Sequence, residues 1–315
     1  MHTPESRRQF SRVGLAVFSV TAVTYGLQLV LLPLVMAVWP QFQEHPWFTW
    51  LASSLPLYLC GFPCAWLILR PSHKSVTPAR PFTLREFGGA FAAGYALLMG
   101  GNLLGNLLMN TVASITGNPS DNLVADVVLN TDLPGILIFA VILAPVMEEL
   151  LFRGLVYDRL AVFGPRWAVV VSALLFGLFH GNFYQLFYAV GVGLVLGWLK
   201  ARTGRLRWGI ALHMGINFMG SVIPMALQNL LGEDALDSLE NLESLSPEVL
   251  AFLAYTVLLI WLAAAGVLVL ARNRESIGKA LAGPFDPALW KQMVRAPGMI
   301  LALVLSILVF LLNML

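Results

Sequence analysis

The chain has 315 residues, 58% of them hydrophobic and only 11% charged, with a mean hydropathy of +0.77. About a quarter of the residues of a soluble domain are charged, so an ordinary water-soluble globule is excluded and the composition is that of a polytopic membrane protein. The net charge of +2 identifies no partner, because placement rather than sum matters in such proteins, and nothing in it points to nucleic acid.

Apolar runs long enough to cross about 30 Å of hydrocarbon lie near 13–39, 47–69, 87–116, 135–158, 167–182, 183–199, 208–231, 249–271 and 298–315. The fifth and sixth share one apolar tract and read either as a re-entrant pair or as one span broken at "HGN" (180–182). The expected fold is therefore an all-α polytopic transmembrane bundle of eight or nine spans. It forms a single membrane domain over residues 1–315, with the bilayer as its surroundings.

With the N-terminus in the cytoplasm and nine spans, lysine and arginine sort to cytoplasmic ends. They fall at Arg7–Arg12, Arg70–Arg85, Arg153–Arg166, Lys200–Arg207 and Arg272–Arg295. The predicted outer loops carry acids alone: Glu44, then Asp121, Asp126 and Asp132, then the run "EDALDSLENLESLSPE" from Glu233 to Glu248. Reporters fused within 232–248 are expected outside and an N-terminal reporter inside; a cytoplasmic signal from the acidic loop would remove a span from this arrangement. The layout, with no organelle signal, suggests a bacterial inner membrane. Residues 279–297 include "FDPALWKQMVR", where Asp286 caps and Pro287 starts a short cytoplasmic interfacial helix. Cys60 and Cys64 read as small packing residues inside the second span.

Ionisable groups inside spans are costly, so each needs a partner or a function. They cluster here as Glu148, Glu149 and Arg153 in the fourth span, His180 at the end of the fifth, and His213 with Asn217 in the seventh. Glu149 and Arg153 are i and i+4 in the favourable order for an intrahelical pair. Glu148 points about 100° away around the helix and is left without a partner. Phe176 and His180, and His213 and Asn217, repeat the four-residue spacing. Counted from the nearest cytoplasmic arginine, Glu148, His180, His213 and Asn217 lie roughly 16, 21, 9 and 15 Å deep, so they can meet near mid-membrane. Pro145, three residues before Glu148, is expected to kink the span and open a cavity. In the third span, "GGNLLGNLLMN" puts Asn102, Asn106 and Asn110 on one stripe beside the small pair Gly101 and Gly105. That stripe reads either as helix packing or as the lining of a wet substrate cavity.

An unpaired glutamate, two histidines and an asparagine in an apolar interior suit hydrolysis of an amide or ester. The carboxylate would act as general base toward water, with histidine relaying the proton and hydrogen-bond donors facing an oxyanion. The set Glu148, His180 and His213 also suits zinc with an open position, although the helical "HExxH" signature is absent.

The ordered boxes "EELLFR" (148–153), "FGLFH" (176–180) and "HMGIN" (213–217) resemble the CAAX prenyl protease and bacteriocin-processing family of intramembrane proteases, also called the Abi family. The resemblance covers about residues 135–225, a catalytic core. It implies that Glu148 and His180 activate water, that His213 and Asn217 stabilise the oxyanion, and that Glu149, Arg153 and Phe176 support them. The family is named for metalloproteases, yet a metal-free glutamate mechanism is also ascribed to it, so at this point zinc and no cofactor both stand. The expected partners are the lipid bilayer and a peptide or membrane-protein substrate. Two other classes compete: a non-catalytic immunity or scaffold member of the family, and a proton-coupled transporter, which would carry inverted repeats that the sequence lacks.

Overall fold

The computed structural model describes residues 4–74, 76–117, 127–128, 131–230, 246–281 and 286–314, and among them there is no strand. Most of the acidic run 233–248 lies outside the described residues. Among the described residues the principal helices follow in order: α1 Pro4–Val38, α2 Phe48–Leu69, α3 Leu84–Thr116, α4 Leu133–Phe163, α5 Pro165–Phe179, α6 Phe183–Thr203, α7 Leu206–Leu230, α8 Pro247–Ala280, α9 Pro287–Val294 and α10 Pro297–Leu312, with a short 3-10 helix over Pro40–Glu44 between the first two. Seven are long and apolar enough to cross a bilayer, and the bent pair α9–α10, at 66°, makes an eighth. The chain is an all-α multi-pass membrane protein.

The helix ends follow the sequence. Thr83 and Glu86 form a reciprocal capping box at the start of α3. Asp286 accepts from the Ala288 amide at 2.9 Å ahead of Pro287, as the "FDP" stretch predicts. Helix α9 is nevertheless shorter than the 279–297 segment, because α8 runs on to Ala280. Leu289 and Met293 of α9 are buried in the core.

The "HGN" stretch decides the fifth span. His180 ends α5, Gly181 turns with φ +69°, a conformation favouring glycine, and the Asn182 side chain caps α6 by accepting from the Gln185 amide at 2.9 Å. The two helices then fold back on each other. A Cβ on Gly177, Gly193 or Gly197 would meet Val190, Ala173 or Val169 respectively, an antiparallel register along the whole pair. Helix α5 has 15 residues, about 22 Å at 1.5 Å each, less than the hydrocarbon thickness. His180 at its end is thereby held inside the bundle.

Helix α3 packs antiparallel on α6 through its glycines: a Cβ on Gly101 would lie 2.4 Å from the Tyr188 backbone, and one on Gly105 2.7 Å from the Phe183 carbonyl oxygen. The small-residue pair works by close backbone approach. Three core clusters result among the described residues. One joins α1, α2, α4, α5, α9 and α10 with Ala189 of α6, a second joins α3, α6 and α7, and a small third joins α4 and α7 through Ile136, Val141 and Val222. Outside them, leucines and valines such as Leu29, Leu103 and Val257 are exposed, the surface a lipid solvent calls for.

Candidate active site

Glu149 and Arg153 form the expected pair, Nη1 to Oε1 at 2.9 Å, both fully buried. Arg153, which the charge pattern places among the cytoplasmic-end cations, is therefore part of the interior. Its Nη2 donates to the Gly193 carbonyl of α6 at 3.1 Å, and its guanidinium lies 4.4 Å over the Phe176 ring, a cation–π contact strengthened by the absence of water.

Phe176 is the hub of the cluster. Its ring meets the His180 ring at 4.8 Å and the His213 ring at 5.8 Å, both at 88°. His180 Nδ1 lies 2.8 Å from the Phe176 carbonyl oxygen. A carbonyl only accepts, so Nδ1 carries the hydrogen and Nε2 of the neutral ring keeps its lone pair.

His213 bridges the two glutamates: Nδ1 is 3.4 Å from Glu149 Oε1, and Nε2 is 3.7 Å from Glu148 Oε2. The adjacent carboxylates thus have different surroundings. Glu149 is paired with Arg153 through Oε1, its Oε2 being buried without a hydrogen-bond partner, whereas Glu148 keeps a side chain 15% exposed and accepts no hydrogen bond among the described residues. Asn217, one turn beyond His213, donates from Nδ2 to the Ala140 carbonyl of α4 at 2.8 Å. The kink expected at Pro145 takes the form of a register change, in which π-helical turns over Ile136–Leu143 give way to α-helix over Ala144–Glu149.

Asn102 and Asn106 are not brought to this cluster by hydrogen bonding. Asn106 donates to the backbone and side-chain oxygens of Asn102 along their own helix, at 2.9 and 3.0 Å. Nor do Glu148, His180 and His213 converge as a zinc site, since no group of three His, Cys, Asp or Glu among the described residues is placed to hold a metal. Cys60 and Cys64 are both free.

Three neighbours escape sequence reasoning. The hydroxyls of Tyr58 in α2 and Tyr188 in α6 lie within electrostatic range of Glu148, and no local spacing joins them to it. Gly209 is the third: a Cβ there would lie 2.7 Å from Glu149 Oε2. It stands one turn before His213, so a small residue at that spacing was a signal available in the sequence. Gly209→Ala is expected to lower thermal stability in detergent by about 1–3 kcal/mol of overpacking, because the Arg153 pair prevents Glu149 from swinging away. A melting curve identical to that of the parent would show that the carboxylate has room.

Residues 130–219 match the family model described as Type II CAAX prenyl endopeptidase Rce1-like. The match covers 90 of the 315 residues. Every residue of the cluster contributed by α4, α5, α6 and α7 falls inside it, while Tyr58 stands outside. The chain is also 29% identical over 105 residues to the protein named "Putative membrane peptidase YdiL" of Bacillus subtilis (strain 168), an alignment covering 32% of this chain. The chain spans 42% of that relative's length. No solved structure matches the chain.

Proposed function

We propose that the chain is an intramembrane endopeptidase that hydrolyses a peptide bond of a membrane-associated protein or peptide, with residues 135–225 as its catalytic core. The observation that carries this reading is the asymmetry of the two glutamates. A purely structural cluster would satisfy both. Here Glu149 is neutralised by Arg153 at 2.9 Å, and Glu148 remains partly open and faces His213 Nε2 at 3.7 Å.

The chemistry follows from charge and lone pairs. His213 stands between the two carboxylates, with Nδ1 3.4 Å from Glu149 Oε1 and Nε2 3.7 Å from Glu148 Oε2, so a hydrogen carried on Nε2 faces the reaction centre. Water between Glu148 and His180 Nε2 gives its proton to Glu148 as its oxygen adds to the substrate carbonyl carbon. The oxyanion accepts from His213 Nε2–H and from the second N–H of Asn217, and Glu148 passes its proton to the leaving amine as the C–N bond breaks. Each oxyanion donor supplies about 10²–10³ in rate.

An apolar cavity of about 730 Å³ lies between α3, α5, α6, α9 and α10, and its wall contains none of Glu148, His180, His213 or Asn217. The charge pattern supports a cytoplasmic N-terminus in a bacterial inner membrane. Comparing membrane proteomes of cells carrying the intact protein and a Glu148→Gln variant tests the function: membrane-protein fragments present only with the intact protein are expected, and identical fragment sets would refute it.

A further inference from the structure

We propose that Pro145 is a positioning residue that acts by leaving the Ala140 carbonyl free to hold and orient Asn217. The inference rests on the reading above for what Asn217 then does, but its structural part stands alone.

At the end of the π-helical turns the register is explicit: the Ala144 amide donates to the Phe139 carbonyl, five residues back. One step further along, the acceptor is the Ala140 carbonyl and the donor position is residue 145. That residue is proline, which has no N–H. The Ala140 carbonyl is therefore without its backbone donor inside an apolar bundle, where an unsatisfied carbonyl is costly. Asn217 Nδ2 fills the vacancy at 2.8 Å.

The bond has two consequences. It ties α4 to α7 across 77 residues of sequence, fixing the helix that carries His213 against the helix that carries Glu148. It also sets the direction of the Asn217 amide. Only the NH₂ side can donate to a carbonyl, so the second N–H and the oxygen are locked in orientation. At the base of the same residue, Ser221 Oγ donates to the Asn217 carbonyl at 2.6 Å. Pro145 thus creates the acceptor against which one oxyanion donor is aimed, and its place three residues before Glu148 puts that acceptor in the span of the general base.

The test compares the purified full-length protein with Asn217→Ala, Pro145→Ala and the double variant, by thermal melting in detergent and by cleavage of a substrate found in the proteome comparison. Asn217→Ala should lower the melting temperature by stranding the Ala140 carbonyl. Adding Pro145→Ala to it should restore the melting temperature, because residue 145 then supplies a backbone N–H. Pro145→Ala alone should fold, yet lose roughly 10- to 100-fold in kcat at unchanged KM, as expected for a misdirected oxyanion donor. Additive losses of stability, or a Pro145→Ala enzyme with parental kcat, would overturn the proposal. Should Pro145→Ala fail to accumulate, Asn217→Leu decides: a side chain of similar size with no donor cannot satisfy the carbonyl, so its melting temperature must fall as far as that of Asn217→Ala, and an unchanged value sinks the idea. If no cleavage is found with any variant, the protease reading fails, while the melting data still decide the positioning role.

Discussion

Glu148→Gln is expected to abolish cleavage while the protein stays folded and inserted. The substitution keeps shape and removes the base, and a positioned general base contributes about 10²–10⁴-fold. Little stability should go with it, because Glu148 accepts no hydrogen bond among the described residues and its nearest partner, His213 Nε2, is 3.7 Å away. His180→Ala is expected to lose activity as well, by removing the Nε2 lone pair that its bond to the Phe176 carbonyl, at 2.8 Å, directs away from that carbonyl. The measurement is cleavage rate beside size-exclusion profile and melting temperature in detergent. Full activity in Glu148→Gln would reassign the base, and a collapse of folded yield would make Glu148 a structural residue.

Arg153→Ala should do the opposite, costing stability first and activity as a result. Breaking a fully buried pair strands the remaining charge, at about 3–5 kcal/mol. Here the loss extends to the Gly193 carbonyl at 3.1 Å and the Phe176 face at 4.4 Å. Arg153→Lys is not a gentle change, since an ammonium lacks the planar fork that makes these contacts together. Replacing both members, Glu149→Gln with Arg153→Met, should recover much of the stability because no lone charge is left behind. Melting curves for the two single variants and the double variant form a cycle. A double variant as unstable as the sum of the singles would show that the pair is not the unit that matters.

These two predictions differ in how far the sequence alone reached them. The Glu149–Arg153 pair was legible from a four-residue spacing, because residues one turn apart on a helix are neighbours whatever surrounds them. The "HGN" turn was half legible: its break was visible, but whether the chain continued or folded back depended on glycines packing against residues 13 to 28 positions away. Pro145 was read as a kink, since the loss of one backbone donor is a local fact. That the freed carbonyl finds Asn217 is not local.

What the sequence by itself determined was the solvent, the spans and the inventory of buried charge, because these depend on composition and on periodicities within one helix. Tertiary structure alone decided that His213 stands between both glutamates, that Phe176 places both imidazoles and the guanidinium around one ring, that Gly193 and Gly209 leave room for them, and that Asn217 is held by Ala140. Each of these depends on the rotation and offset of one helix against another. Those are set by close packing along the whole length of the pair, and no window of sequence around a motif contains them.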